Sequence, residues 1–223
     1  MSKNILVIGM GRLGRHLAID MQNLGNDVMI VDKHEEQIEE LAPLFTDSYC
    51  GDCTKEGVLR SLGVNNFDVV FVTIGENFQS SLEITAMLKD LNAKRVVSKA
   101  KRDSQARFLI NVGADEVVYP ERETAEKLAI RYNAENIFDS IELTEEYAIY
   151  EVATPPGWVG KTIAGLNVRQ AHHVDVIAIK KGEVLQPMPG GDYVFANDDI
   201  LVVLGKSADV FRLSREKNKG YTA

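Results

Sequence analysis

The sequence predicts an α/β chain, a doubly wound parallel sheet followed by a small α+β domain. Three observations predict it. Short apolar runs, β-branched and bounded by Gly, Asn or Asp, alternate with amphipathic helical patterns through the first part of the 223 residues. A glycine-rich turn, Gly9-Met10-Gly11-Arg12-Leu13-Gly14, joins the first apolar run to the first helical pattern. Beyond about residue 140 the pattern gives way to alternating runs separated by turn clusters.

Each element follows from its own residues. Ile5–Gly9, Asp27–Asp32, Phe67–Gly75 and Ala93–Ala100 are short, β-branched at their centres and bounded by Gly, Asn or Asp, and read as buried strands. Thr46–Asp52 and Asp115–Pro120 are two further strand candidates. Between strands, Leu13, Leu17, Met21 and Leu24 recur at helical spacing, as do Ile84, Leu88 and Leu91. Strands alternating with helices call for a parallel sheet covered on both faces. The expected first domain is 1–140. The second, 141–223, alternates, breaks at Pro155-Pro156, continues through strand-like runs from Val174 to Gly205, and ends in a helical stretch, Ser207–Lys217.

Composition narrows the function. An apolar fraction of 45% with 26% charged residues is that of an ordinary globular protein. A net charge of −8 argues against nucleic acid as the main partner, which would leave a basic footprint. The first apolar run is broken by glycines and Arg12 and does not read as a secretory leader. No window approaches the roughly 18 apolar residues of a membrane helix. The cytoplasm is the expected compartment, with any membrane work done through a partner. Two cysteines do not make a disulfide framework.

The glycine turn carries the chemistry. In G-x-G-x-x-G, Gly9 permits the tight turn, Gly11 lets a phosphate approach the backbone, and Gly14 lets the helix pack on the strand. The helix then aims unpaired N–H groups and its positive end at the phosphates. Asp32 ends the next strand, where it accepts the ribose hydroxyls and repels a 2′-phosphate. This Rossmann-like arrangement disfavours NADP and leaves NAD(H) and adenine mononucleotides. Arg12 is either a guanidinium fork suited to a triphosphate or a solvated arginine on the first helical turn.

A reaction is harder to find. His16, His34, His172 and His173 form no catalytic pair with the nicotinamide end, and the second domain is small for substrate binding. A small NAD(H)-dependent oxidoreductase or redox-state sensor is therefore the alternative rather than the leading reading. Cys50-Gly51-Asp52-Cys53 ends a strand instead of opening a helix, which suits a pocket wall better than a redox pair. Six basic residues lie between Lys94 and Arg107, and Lys99 ends a strand on the ligand-binding edge, a candidate phosphate contact.

The segments "VIGMGRLGRHLA", "GDCTKEGVLRSLGVNNFDVVFVTIGENFQSSLEITAMLKDL", "GADEVVYPE" and "GKTIAGLNVRQAHHVDVIAIKKGEVLQPMPGGDYVFANDDILVVLG" resemble, nearly end to end, the KtrA-like RCK/KTN (TrkA-type) regulatory subunits of bacterial potassium uptake systems. The resemblance implies a Rossmann-like domain with a crossover helix, followed by an RCK C-terminal domain. It also implies a non-enzymatic gating ring, dimers assembled into an octamer beneath a membrane-embedded potassium channel subunit of the KtrB/TrkH type. ATP and ADP would compete for the glycine-loop site. By position, Gly9, Gly11 and Gly14 hold the phosphates, with Met10 and Leu13 beside them in the cofactor-binding set, Arg12 reaches the terminal phosphate, and Asp32 holds the ribose. Asp52, Cys53 and Thr54 lie by the adenine. Lys33, Ile74, Gly75, Glu76, Asn77 and Lys99 complete the set. Glu121 resembles the acid that joins Mg²⁺ or another cation near the phosphates. In the C-terminal domain, Ile163, Ala164, Asn167 and Arg169 correspond to a cyclic di-AMP site.

Overall fold

Residues 2–133 and 136–215 are described by a computed structural model. The chain divides into two compact units, Met1–Glu123 and Thr124–Ala223. The first runs β1 (Asn4–Ile8), α1 (Arg12–Asn23), β2 (Asp27–Asp32), α2 (Glu35–Leu41), β3 (Asp47–Cys50), α3 (Glu56–Leu62), β4 (Val69–Val72), α4 (Phe78–Asp90), β5 (Val96–Lys99), α5 (Asp103–Asn111) and β6 (Glu116–Val118). The strands pair in parallel in the order β3-β2-β1-β4-β5-β6. That is the doubly wound topology, with its switch point between β1 and β4.

Both faces of the sheet are buried at its centre, along β1, β4 and β5, whereas the edge strand β3 is largely exposed. Leu6 and Ile8 pack with Val70, Val72, Ile84 and Leu88. Ile5 and Val7 pack on the other face with Ile30, Ile38 and Ala18. On α4 Ile84 and Leu88 of the expected stripe are buried, and Leu91, just past the helix, is half-buried. On α1 the expected stripe is not the buried one: Gly14 and Ala18 are buried, whereas Leu13 and Leu17 are half-buried and Leu24, just past the helix, is exposed. The helix lies so close to the strands that only the smallest side chains fit beneath it.

The helix α6 (Pro120–Asn133) contains the division between units and buries none of its side chains. The boundary expected at residue 140 falls instead inside β7 (Ile137–Glu142), which pairs with β8 (Tyr147–Ala153). A solvated helix leaves no break in composition to mark where one unit ends.

The second unit continues with α7 (Ile163–Leu166), α8 (Val168–His172), β9 (Val174–Lys181), β10 (Val184–Pro187), β11 (Ile200–Lys206) and α9 (Ser207–Ser214). Its sheet is antiparallel, β10-β9-β11-β8-β7. The helix expected over Ser207–Lys217 is α9, and residues 216 and 217 lie outside the described ones. The Pro155-Pro156 break leads into a 3₁₀ turn that buries Trp158 against Phe195, ring centroids 5.2 Å apart.

Asp199 is the polar node of this unit. It is fully buried, and Oδ2 accepts Tyr193 O–H at 2.8 Å and Ala196 N–H at 2.7 Å. Its Oδ1 faces Lys181 Nζ at 3.2 Å, and its carbonyl accepts the Thr154 hydroxyl at 2.9 Å. Removing the carboxylate strands a phenol and an amide in the interior. Asp199→Ala is expected to lower stability by about 2–4 kcal/mol. Lys181→Ala, which leaves the Tyr193 and Ala196 bonds to Asp199 in place, is expected to cost less than Asp199→Ala. Denaturation followed on Trp158, the only tryptophan, measures both.

Candidate functional site

A cleft of about 390 Å³ opens at the carboxyl ends of β1, β2, β3 and β4, beside the switch point, where open α/β sheets bind ligands. The three glycines of the turn from β1 into α1 do different work. Gly9 has φ +100°, which only glycine adopts freely. At Gly14 a Cβ would stand 1.9 Å from Gly9 O and 2.6 Å from Thr73 Oγ1, an impossible overlap. Gly11 has an ordinary φ of −68°, and a Cβ there would meet nothing within 4 Å. The fold therefore requires Gly9 and Gly14 but not Gly11, whose missing side chain leaves open space at the start of α1. The first satisfied amide of that helix is Arg15 N–H, on Gly11 O at 3.0 Å. The amides before it have no intrahelical partner, so they suit an anion.

Asp32 faces the same space. Its Oδ2 accepts Met10 N–H at 2.6 Å, which bolts the glycine loop to the end of β2. Thr73 fastens the loop from the other side, donating to Gly9 O at 2.6 Å. Across the cleft, Asp52 accepts the Thr54 hydroxyl at 2.7 Å and the Thr54 N–H at 3.1 Å. Those two bonds, and then Lys55 and Lys33, hold its carboxyl below the usual range. Cys53 is buried, and burial followed by the nearby Asp52 and Asp32 charges pushes its thiol up to about 12. Such a thiol is no nucleophile at neutral pH.

The cleft thus brings together Gly9, Gly11, Asp32, Lys33, Asp52, Cys53, Thr54, Ile74, Gly75, Glu76 and Asn77. Asn77 also caps α4, accepting Ser80 N–H at 3.2 Å. Met10 points into the core and contributes its amide alone. Leu13 is half-buried on α1, and Arg12 is exposed at its first position. Lys99, nearly buried, pairs with Glu121 at 2.6 Å. This bond holds the Glu121 carboxyl below its usual range. A Cβ on Gly75 would lie 3.7 Å from Lys99 Nζ and 3.8 Å from Lys101 Nζ, so both cations stand at the edge of the cleft. Among the described residues no cluster of three His, Cys, Asp or Glu side chains is disposed to hold a metal, and Glu121 would supply a single ligand.

Sequence reasoning passed over Thr73, Gln37 and Ser80. Thr73 had a signal, a hydroxyl at the end of an otherwise apolar run. In the second unit, Thr162 caps α7 and Asn167, at φ +48°, turns the chain into α8. Ile163 and Ala164 donate their amides to Tyr193 O at 3.1 Å and Gly191 O at 2.8 Å. Arg169 is exposed and pairs with Asp175 at 2.7 Å.

The fold and cleft define a doubly wound α/β protein with a dinucleotide-type glycine loop, extended by a small antiparallel α+β unit. Residues 5–120 match the TrkA-N domain and residues 147–217 the TrkA-C domain. The chain is 35% identical over 215 residues to Ktr system potassium uptake protein C of Bacillus subtilis (strain 168), covering 96% of this chain and 97% of that one. Identity to Ktr system potassium uptake protein A of the same organism is 32% with the same coverage. The solved GsuK channel bound to NAD aligns with a TM-score of 0.70 at 20% identity, over 99% of this chain and 41% of that one. GsuK bound to ADP aligns at 0.53 and 19% identity, over 59% and 35%. The protein belongs to the TrkA-N/TrkA-C family that includes the Ktr potassium uptake proteins.

Two outcomes follow from the geometry of the cleft. Gly14→Ala is expected to cost about 3 kcal/mol or more, and Gly11→Ala to stay within about 1 kcal/mol of the parent. Thermal melts by circular dichroism separate them. A thiol reagent at neutral pH is expected to modify the exposed Cys50 in the folded chain and Cys53 only after denaturation.

Proposed function

We propose that this protein is a nucleotide-sensing regulatory subunit of a Ktr/Trk-type potassium transporter and performs no reaction of its own. The observation that carries the nucleotide reading is Gly11: the fold does not require glycine there, yet the lack of a side chain leaves open space at the α1 amides, in the cleft that Asp32 also lines. The regulatory reading is supported by near full-length similarity to Ktr system potassium uptake proteins A and C. Among the described residues no helix is long and apolar enough to cross a membrane, so the ion path belongs to a membrane-embedded channel partner.

In this reading the ribose sits on Asp32 and the adenine lies by Asp52, Cys53 and Thr54. The phosphates lie over Gly9, Gly11 and Gly14, with Lys33 and the Ile74–Asn77 segment closing the sides. Arg12 and Lys99 reach the terminal phosphate. A γ-phosphate drawn to Lys99 competes with Glu121, which is then free to join Mg²⁺ or another cation. ADP, one phosphate shorter, engages fewer of these groups. That difference in affinity is what a switch requires, because a ligand that binds two states equally shifts neither. Copies of the chain pair and assemble into an octameric ring at the cytoplasmic face of the membrane. Cyclic di-AMP is a second effector on the Ile163–Arg169 stretch, a reading supported by the exposed Arg169 cation beside Asn167.

Calorimetric titration with ATP, ADP and NADH, with and without Mg²⁺, tests this function. ATP and ADP are expected to bind, with a cation effect confined to ATP. Asp32→Ala and Gly11→Ala are each expected to weaken both about tenfold or more. Arg12→Ala is expected to narrow the difference between ATP and ADP. Tight NADH binding with adenine mononucleotides ignored would overturn the ATP/ADP switch.

A further inference from the structure

His34 stands two residues past Asp32, at the position that opens α2, where a short polar side chain would ordinarily bond the first helix amides. Its imidazole caps nothing. It turns back instead, with Nδ1 2.8 Å from Asp32 Oδ1, and the same oxygen accepts the His34 N–H at 2.9 Å. Met10 N–H already occupies Oδ2. A carboxylate offers about four lone-pair positions, so roughly one is left for a ribose that presents two hydroxyls. His34 and Asp32 both line the cleft, and the His34 side chain is 64% exposed, which gives the ring room to leave.

We propose that the His34 imidazole competes with the nucleotide ribose for Asp32 and is a positioning residue that makes ribose recognition depend on pH. The inference rests on reading the cleft as a nucleotide site. Imidazoles gain charge between roughly pH 8 and pH 5. As a cation the ring is held by the carboxylate more strongly than as a neutral donor, so the ribose displaces it at greater cost in acid. The charged and titratable groups around the ring are Asp32, Lys33, Glu35 and Glu36 on its own segment. Lining the same cleft are Asp52 and Cys53 from the turn after β3 and Glu76 after β4, and Arg15 of α1 reaches Gln37 and Glu40 on α2. Among the described residues, Asp32 is the one that bonds the ring. Arg15 is engaged by Glu40 and Gln37, and Asp52 by Thr54. Protonation therefore acts on the Asp32 contact first.

The test compares ADP with 2′,3′-dideoxy-ADP on the full chain by calorimetry at about pH 8 and about pH 6. The two ligands share the same phosphates, so phosphate ionisation cancels in the ratio of their affinities. In the unsubstituted chain the preference for ADP is expected to fall about threefold or more between the two pH values. In His34→Asn and His34→Ala it is expected to change less than about twofold, with ADP bound more tightly at the lower pH than by the unsubstituted chain. A preference that does not fall with pH in the unsubstituted chain, or that falls equally in both variants, overturns the proposal while a ribose-dependent ADP site stands. No ADP binding even at the higher pH overturns the nucleotide reading along with it.

Discussion

The first turn of α1 meets the glycine loop with no room for a methyl group. Gly14 lies under the carbonyl of Gly9, where a Cβ would stand 1.9 Å from the oxygen. Much of the candidate site depends on that contact. It draws the helix N-terminus onto the end of β1, and the Thr73 hydroxyl, bonded to both Ile8 O and Gly9 O, locks the end of β4 to the same point. Met10 N–H adds the end of β2 through Asp32. Strand ends on both sides of the switch point are thereby held around one turn, and the cleft is the space between them. The same closeness explains why α1 buries Gly14 and Ala18 rather than its leucines.

Charge is distributed unevenly about this cleft. Asp32 and Asp52 stand at the ends of β2 and β3, with Lys33 and Lys55 beside them. Lys99 and Lys101 stand beyond β4, next to Gly75, and Arg12 opens α1. Acids at one end suit the hydroxyls of a ribose, and cations at the other suit phosphates. The Lys99–Glu121 pair links the phosphate end to the first turn of α6. Cys53, with its thiol raised and buried, lends this wall shape rather than reactivity.

The second unit is organised by a different device. Its antiparallel sheet has a compact aromatic centre at Trp158, Tyr150 and Phe195, and one buried carboxylate, Asp199, gathers the irregular stretch before β11. The carbonyl of Asp199 also receives both the amide and the hydroxyl of Thr154, at 3.1 Å and 2.9 Å. A chain segment rich in Gly, Asn and Asp has few apolar side chains to anchor it, so a buried acid bonded through Oδ2 and its carbonyl performs that role.

The sequence alone determined the strand–turn–helix plan of the first unit, the α+β character of the second, and the identity of the glycine loop with its acid. Those are local or periodic properties: a run apolar on both faces is a buried parallel strand, and φ near +100° at Gly9 is a demand of the turn itself. Only the tertiary structure decided which loop residues reach the cleft, because that depends on contacts between segments distant in the chain. Met10 contributes an amide and no side chain, Thr73 closes the loop from β4, and Glu121, though exposed, pairs with Lys99. His34 left its capping position for Asp32, and the division between units fell inside a solvated helix that no change of composition marks. Patterns of residues specify elements, but the partner of a polar side chain is set by what the fold brings beside it.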